Sequence, residues 1–418
     1  MAEIGIKSLY DCEVKGKRVL LRLDINSPID PVTKRIINEN RLDKSVPTLR
    51  WLLDHGARVA IIAHQGDTLD YQNLIPLSEH AEKLSAKLGT HIAYIDDVCG
   101  PAAQARVMEL KDGEAVILGN LRYLGEEMST FENSVKLTAA EMTHTYLVRS
   151  LSPLFDLYVN DAFSAAHRNA PSMVAFQQVL PSAAGPLFFG EISALHRIMR
   201  EPVHPSVFLL GGAKISDAFG MMGQVLGNGS ADTILTCGVT GEVFLVASGL
   251  ALGKNTDAFL ASHGLLPFID QAKELLAKYQ EKILMPSDLA CIEDGKRKEV
   301  PLSALPLDVD FVDIGEETIS RYENTIRNCG MVFVNGPAGI YEQALASEGT
   351  RRLWKAVEET KGFSVIGGGD SVTAATKFTD LRKIGYVCTA GGAMVRFLSG
   401  KELPLVEAML LAKGKKEE

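Results

Sequence analysis

Two doubly wound parallel-sheet α/β domains joined by a hinge helix are what this sequence predicts, and three observations carry that expectation. Short apolar runs rich in Val and Ile alternate with helix-period segments, the mark of βαβ units, which build parallel sheets through right-handed crossovers. The scheme occurs twice, once in each half. The 418 residues also exceed what one ordinary core accommodates, so two domains of roughly 200 residues follow. The architecture expected is Rossmann-like in both halves.

Taken in order, the first half places apolar runs at 18–26, 57–64, 90–96, 115–120 and 157–161, with helix-period stretches at 41–55 and 76–88 between them. From Pro181 a few turn residues lead into one apolar helix ending near Met199, the expected connection between the halves. Runs at 206–212, 232–238, 283–288, 331–336, 363–369 and 386–390 then repeat the scheme. A last amphipathic helix runs from Glu402 to Leu411 before a Lys-Lys-Glu-Glu tail. The division predicted is an N-terminal domain over 1–182, with 402–418 packing back on it, a connecting helix over 183–200, and a C-terminal domain over 201–401.

Composition excludes several classes. With 46% hydrophobic and 23% charged residues this is a globular chain able to build large cores. A net charge of -9 and a pI near 5.6 argue against nucleic-acid or anionic-membrane partners. The six cysteines form no C-x-x-C pair, so neither a zinc site nor a disulfide framework is signalled. The N-terminus has no apolar h-region, and no run approaches the ~20 apolar residues of a membrane span. A cytoplasmic monomer or homodimer with free thiols is expected.

Chemistry is read from the carboxyl ends of the strands, where open α/β sheets bind ligands. In Phe363-Ser-Val-Ile-Gly-Gly-Gly-Asp370-Ser-Val-Thr-Ala-Ala375 an apolar run stops at Gly367, Gly368 and Gly369, and a small-residue helical pattern begins after Asp370 and Ser371. Backbone N–H groups and a helix N-terminus then face whatever binds there, which suits phosphate; Asp370 suits it when Mg²⁺ lies between the two anions. A glycine turn alone also serves close helix–strand packing. Other glycine clusters end the runs of the second half: Gly211-Gly212-Ala213-Lys214, Gly238-Val-Thr-Gly241, Asn335-Gly336-Pro337-Ala-Gly339 and Ala390-Gly-Gly-Ala393. Glycine admits the close backbone approach that a flat base and a phosphate chain need. The first half carries charge instead: Arg22, Asp24 and Asn26, then His64, then Asn120 and Arg122, then Asn160, Asp161, His167 and Arg168. Guanidinium forks match carboxylate and phosphate oxygens, so a small, multiply anionic acid is implied. Neither a Walker A pattern nor a protein-kinase H-R-D loop is present, and no G-x-G-x-x-G follows the first strand.

Over essentially its whole length the chain resembles the phosphoglycerate kinase family. The marks are Leu21-Arg-Leu-Asp-Ile-Asn26, Asn38-Glu-Asn-Arg41, Ala63-His-Gln-Gly66, Asn120-Leu-Arg122, Val159-Asn-Asp-Ala-Phe163 with Ala166-His-Arg168, Leu210-Gly-Gly-Ala-Lys214, Val334-Asn-Gly-Pro-Ala-Gly-Ile-Tyr-Glu342, Ile366-Gly-Gly-Gly-Asp370 and Glu402-Leu-Pro. His64-Gln65 and the Asn-Gly-Pro-Ala-Gly wording stand closest to the archaeal branch. The resemblance implies reversible phosphoryl transfer between ATP and the carboxylate of 3-phosphoglycerate, with Mg²⁺ and domain closure. It implies that Asp24, Asn26, Arg41, His64, Arg122 and Arg168 hold the acid, with Arg22 and His167 on the same rim. Gly212, Ala213, Lys214, Gly238, Asn335, Pro337, Glu342, Gly367, Gly368, Gly369, Asp370 and Ser371 would hold nucleotide, with Asp370 on the metal. Arg41 and Lys214 are the candidates for stabilising the transferring group. A carboxylate acceptor is ionised at neutral pH, so no general base is needed.

Departures accompany the match. Where most of the family carries Arg after His-x-Gly, this chain has Asp67, followed by Thr68; Ala218 stands for a second lysine, Gly119 for a Glu, and Ala390 begins a loop that usually starts with Gly. Asp67 predicts weakened binding of the acid's phosphate, unless the loop takes another course and Arg58 or Lys44 serves that group. A carboxylate or acyl-phosphate kinase for a different acid, and a non-catalytic nucleotide-binding relative, stay open at this point.

Overall fold

The computed structural model describes residues 5–66 and 71–413, so Asp67 and Thr68 lie outside the described residues. The chain divides into two compact units, Met1–Ser193 together with Glu402–Glu418, and Ala194–Lys401.

The first unit is built on a parallel sheet of β1 (Arg18–Leu23), β2 (Arg58–Ile62), β3 (Ile92–Tyr94), β4 (Ala115–Ile117), β5 (Leu157–Asp161) and β6 (Ser182–Ala184), in the order β3-β4-β2-β1-β5-β6. Strand β1 is buried from Val19 to Leu23, as expected of a central strand covered on both faces. β1 pairs with β2 on one side and with β5 on the other, from Val19↔Leu157 to Leu23↔Asp161. The chain winds away from β1 in one direction through β2 to β4 and returns on the other side with β5, so the β1/β5 crevice is the switch point of the sheet. The helix Asn40–Asp54 buries Leu42, Leu49 and Leu52 and leaves Arg41 in its first turn. Five strands were expected; β6 is the sixth. Its three small residues carry no periodic signal, and pairing of Tyr158↔Ser182 through Asn160↔Ala184 makes them a strand. The helix Pro186–Arg200 starts only after it. The helix Pro404–Lys413 belongs to this unit, where the Leu405 N–H donates to the Ala166 carbonyl.

The second unit holds β7 (Ser206–Leu210), β8 (Thr233–Thr236), β9 (Ile283–Leu284), β10 (Asp288–Glu293), β11 (Lys296–Pro301), β12 (Phe311–Ile314), β13 (Met331–Asn335), β14 (Phe363–Gly367) and β15 (Tyr386–Val387). Six of them form a parallel sheet in the order β15-β14-β13-β7-β8-β9, whose switch point is the β7/β13 crevice. β10, β11 and β12 form a separate antiparallel sheet that the apolar runs do not reveal. β11 is mostly charged and exposed, so it lacks the apolar content that marked the other strands. Its one signal is Asp294-Gly295, both at positive φ (51° and 70°), the pair that closes a two-residue hairpin. The expected run 283–288 is accordingly two strands, β9 and the start of β10.

Candidate active site

Each unit places its chemistry at its own switch point. In the first, the Asp24 carboxylate follows β1 and accepts hydrogen bonds from Arg41 Nη1 and from the Ser164 hydroxyl, which follows β5 across the crevice. Burial works against the Asp24 charge, but the Arg41 guanidinium, with the Ser164 hydrogen bond and Arg22, holds its pKa well below the usual carboxylate range. Arg22 lies behind this pair. It is only 3% exposed, its Nε donates to Ser172 Oγ at 3.3 Å and its Nη1 to the Leu23 carbonyl, and its Nη2 sits 3.0 Å from His64 Nδ1. A guanidinium only donates, so Nδ1 is the acceptor and the ring proton is on Nε2. Burial first, then the charge of Arg22, pushes His64 well below the imidazole range, with Arg122 and Arg41 adding to it. The rim therefore presents a neutral histidine among three guanidiniums.

The other predicted groups fall around this centre. The Gly66 N–H donates to Asn26 Oδ1 at 3.0 Å, and Asn120 clamps the β2 loop by accepting from the Gln65 N–H and donating to the Gln65 carbonyl. Arg122 and His167 are half-buried on the loops after β4 and β5. Arg168 Nε donates to Glu132 at 2.6 Å, while its Nη2 is buried with no partner among the described residues. Arg58 is not at this rim: it opens β2 at the opposite end of the sheet and donates to Asp112 at 2.7 Å, so it cannot serve an acid bound beyond His64. Lys44 stays exposed, one turn along the helix from Arg41.

At the second switch point the loops meet backbone to backbone. The Gly212 N–H (φ 70°) donates to the Pro337 carbonyl at 2.8 Å. Gly336 (φ 92°) lies so close to Gly211 that a Cβ there would fall on the Gly211 carbonyl. Ser371, in the first turn of the helix Gly369–Phe378, accepts from the Gly336 N–H at 2.6 Å and is held by Trp354 Nε1 on its carbonyl at 3.1 Å. Two adjoining clefts result. One, of about 150 Å³, is polar and lined by Lys214, Asn335, Gly368, Gly369, Asp370 and Ser371. The other, of about 290 Å³, is apolar, lined by Val239, Leu289, Phe311 and Ile340 with Glu242 and Glu342. They share Gly212, Ala213, Pro337 and Asp370, and Gly238 belongs to the apolar one. Gly367 lines neither; a Cβ there would meet Met394 Sδ, so its role is packing. Lys214 Nζ stands 3.6 Å from Asp370 Oδ2, both well exposed, while Asn335 Nδ2 is buried without a partner among the described residues.

Several contributors had no signature in the sequence. Ser164, Glu132 and the Glu127–Ser172 pair, in which Ser172 donates twice to Glu127 at 2.7 Å, orient the arginines. Asp313 walls the apolar cleft from β12, held by Arg297 Nη1 at 2.8 Å and the Gly349 N–H at 2.7 Å, with burial pushing its pKa to about 6. These residues are reached only through tertiary contacts, so spacing along the chain does not announce them.

One rim built to neutralise a small polyanion, and another whose backbone donors and lysine adjoin an apolar slot, define an α/β phosphotransferase. The family model described as phosphoglycerate kinase matches residues 9–401. The phosphoglycerate kinase of Methanothermus fervidus is 40% identical over 98% of this chain and 98% of its own length, and that of Thermococcus kodakarensis is 37% identical over 97% of each. The crystal structure of phosphoglycerate kinase from Pyrococcus horikoshii superposes with a TM-score of 0.88 at 36% identity, covering 98% of this chain and 100% of that one. The Coxiella burnetii enzyme gives 0.81 at 29% identity, covering 97% and 98%. The chain belongs to the phosphoglycerate kinase family, and its similarity to archaeal members agrees with the His64-Gln65 wording.

Proposed function

We propose that this enzyme transfers a phosphoryl group reversibly between ATP and the carboxylate of 3-phosphoglycerate, with the acid on the first unit's rim and the nucleotide across the two clefts of the second. The observation that carries this reading is the contrast of the switch points: Arg22, Arg41 and Arg122 around His64 in one, glycine backbone with Lys214 and Asn335 in the other. Arg41, oriented by Asp24, and Lys214 neutralise charge on the transferring group. Asn26, Arg122, His167 and Arg168 hold the acid, and Arg22 acts from behind by fixing the His64 tautomer. Glu342, exposed at the border of the apolar cleft, joins the residues that hold the nucleotide. The acceptor carboxylate is ionised at neutral pH, so catalysis is positioning and charge stabilisation without a general base. Reaction requires the acid and the nucleotide to come within about 3 to 3.5 Å, supplied by closure when both are bound.

Asp370 suits magnesium: a single exposed carboxylate beside a phosphate cradle is the arrangement Mg²⁺ uses, since it keeps most of its waters and takes one or two carboxylates with substrate phosphates. When bound there, the ion would screen the phosphate oxygens against Asp370. No helix among the described residues is long and apolar enough to cross a membrane, and we place the enzyme in the cytoplasm with its small diffusible substrates.

Asp67 favours a second reading of the acid alone, a carboxylate other than 3-phosphoglycerate. Turnover with ATP and a panel of phosphorylated and unphosphorylated acids decides it. Activity with 3-phosphoglycerate, and a KM for it lowered about ten-fold by Asp67→Arg with little change in the KM for ATP, supports the first reading. Activity confined to an acid lacking the phosphate overturns the substrate and keeps the kinase.

A further inference from the structure

We propose that Arg297, on the charged strand β11, is a positioning residue for the nucleotide, holding the corner where two walls of the apolar cleft meet. The inference rests on the reading that the second unit's clefts hold the nucleotide. One wall is β12, which lines the cleft from Phe311 to Ile314, and the next is the loop from Pro337 to Glu342. The loop lies directly on the strand. The Ile340 N–H donates to the Val312 carbonyl at 2.9 Å, and a Cβ on Gly339 would stand 2.6 Å from Asp313 Oδ1. The Asp313 side chain has no exposed surface, so its carboxylate is the spacer between strand and loop.

Arg297 lines neither cleft and grips this corner from behind with one planar fork. Its Nη1 donates to Asp313 Oδ2 at 2.8 Å and to the Leu345 carbonyl, three residues beyond the loop, at 3.3 Å. Its Nη2 donates to the Ile314 carbonyl at 2.7 Å. Strand, spacer and the far end of the loop are thus joined through a single guanidinium, which the point charge of a lysine could not do. The fork is itself anchored: Nε donates to Glu299 Oε1 at 2.7 Å, and Glu299 Oε2 accepts from the Glu316 N–H at 2.9 Å, where the helix Glu316–Arg327 begins. Arg297 and Glu299 are alternate residues of β11 and share one face of it. At 15% exposure against a fully buried carboxylate, the Arg297–Asp313 pair is not a solvated surface contact. The charges that hid β11 from the apolar pattern therefore have a task, which is to brace the cleft wall.

The test measures steady-state kinetics and melting temperature for full-length Arg297→Met, Asp313→Asn and the double variant. Asn replaces a carboxylate whose Oδ1 accepts from the Ile314 N–H and whose Oδ2 accepts from the Gly349 N–H, so it satisfies only one of them. Arg297→Met should raise the KM for ATP about five- to ten-fold, with kcat at saturating ATP and the KM for the acid within about two-fold of the parent. Because the two residues act as one unit, the double variant should match Arg297→Met within about two-fold instead of multiplying the single effects. The double variant also carries no stranded buried carboxylate, so it reads the role of the clamp even where Arg297→Met folds poorly. An unchanged KM for ATP in Arg297→Met and in the double variant, with only the melting temperature lowered, overturns the proposal, as do multiplying effects. Val239→Trp, which fills the slot, separates the two levels. If it raises the KM for ATP while the Arg297 variants do not, only the role of Arg297 falls. If it leaves that KM unchanged, the nucleotide is not in this cleft, and the underlying reading falls with the proposal.

Discussion

The two switch points solve one problem, holding an anion at the end of a parallel sheet, with opposite materials. The first unit uses side chains: a buried Asp24 fixes Arg41, a buried Arg22 fixes His64, and each is fixed in turn by Ser164, Ser172 and Glu127. The second uses backbone, with Gly212, Gly336 and Gly368 at positive φ, and leaves its cation, Lys214, 73% exposed. Side-chain recognition by buried charges is tied to stability, because removing one partner strands the other in a poor solvent. Backbone recognition separates the two: the exposed lysine can change without cost to the fold, and the glycines cannot.

The largest expected effect sharpens that difference. Arg41→Ala and Lys214→Ala should each lower turnover about 10²- to 10³-fold, the usual consequence of removing a group that stabilises developing charge. Their stabilities should part company. Arg41→Ala leaves the Asp24 carboxylate, 5% exposed, without its cation and should cost about 2 kcal/mol, less than a fully buried pair because the Arg41 side chain is 37% exposed. Lys214→Ala should change stability by no more than about 0.5 kcal/mol. Equal denaturation midpoints for the two variants would break the comparison.

Next in size, Gly336→Ala should cost about 2 to 3 kcal/mol, because the added methyl must displace the Gly211 carbonyl from a position where φ is already 92°. A denaturant titration that finds Gly336→Ala as stable as the parent removes the backbone account of the second rim.

The smallest effect concerns Asp161, which ends β5 and accepts from the Thr48 hydroxyl and, at 2.8 Å, from the Phe188 N–H. Burial raises its pKa to about 6, above the ~3.9 of the unfolded chain. The native state then binds the proton more tightly, so this group's contribution is fully present below about pH 4 and is lost as pH rises through about 6. Asp24, with its depressed pKa, contributes in the opposite sense, above about pH 4 and fading as pH falls. Asp161→Asn should flatten the decline in stability between pH 4.5 and 7.5 by on the order of 1 kcal/mol. Urea midpoints with the same pH slope in both proteins would show that Asp161 does not titrate there.

Much of this was legible in the sequence, and what was not has physical causes. Strands of five or six residues that are mostly apolar and buried announce themselves, as β1 and β7 do. β6 is three small residues, and β11 is a charged ribbon whose only marker is Asp294-Gly295. The glycine loops were visible because positive φ and close approach leave a compositional trace. Arg22 and Gly367 read as rim residues because each sits at a strand end, yet each lies beneath the rim: a strand's end residue shows where the chain stops, not which way it faces. Glu242 was passed over because a carboxyl inside an apolar slot has no pattern until β10 and β12 build the slot around it.

The assignment of one ligand to each unit is tested most directly by hydrogen exchange of the intact enzyme with each ligand separately. With 3-phosphoglycerate alone, amides of residues 24–26, 64–66 and 162–168 should gain protection while those of 211–214, 336–342 and 368–371 stay as they were. With ADP and magnesium alone the pattern should reverse. Nucleotide protecting the arginine rim, or the acid protecting the glycine loops, would contradict the account.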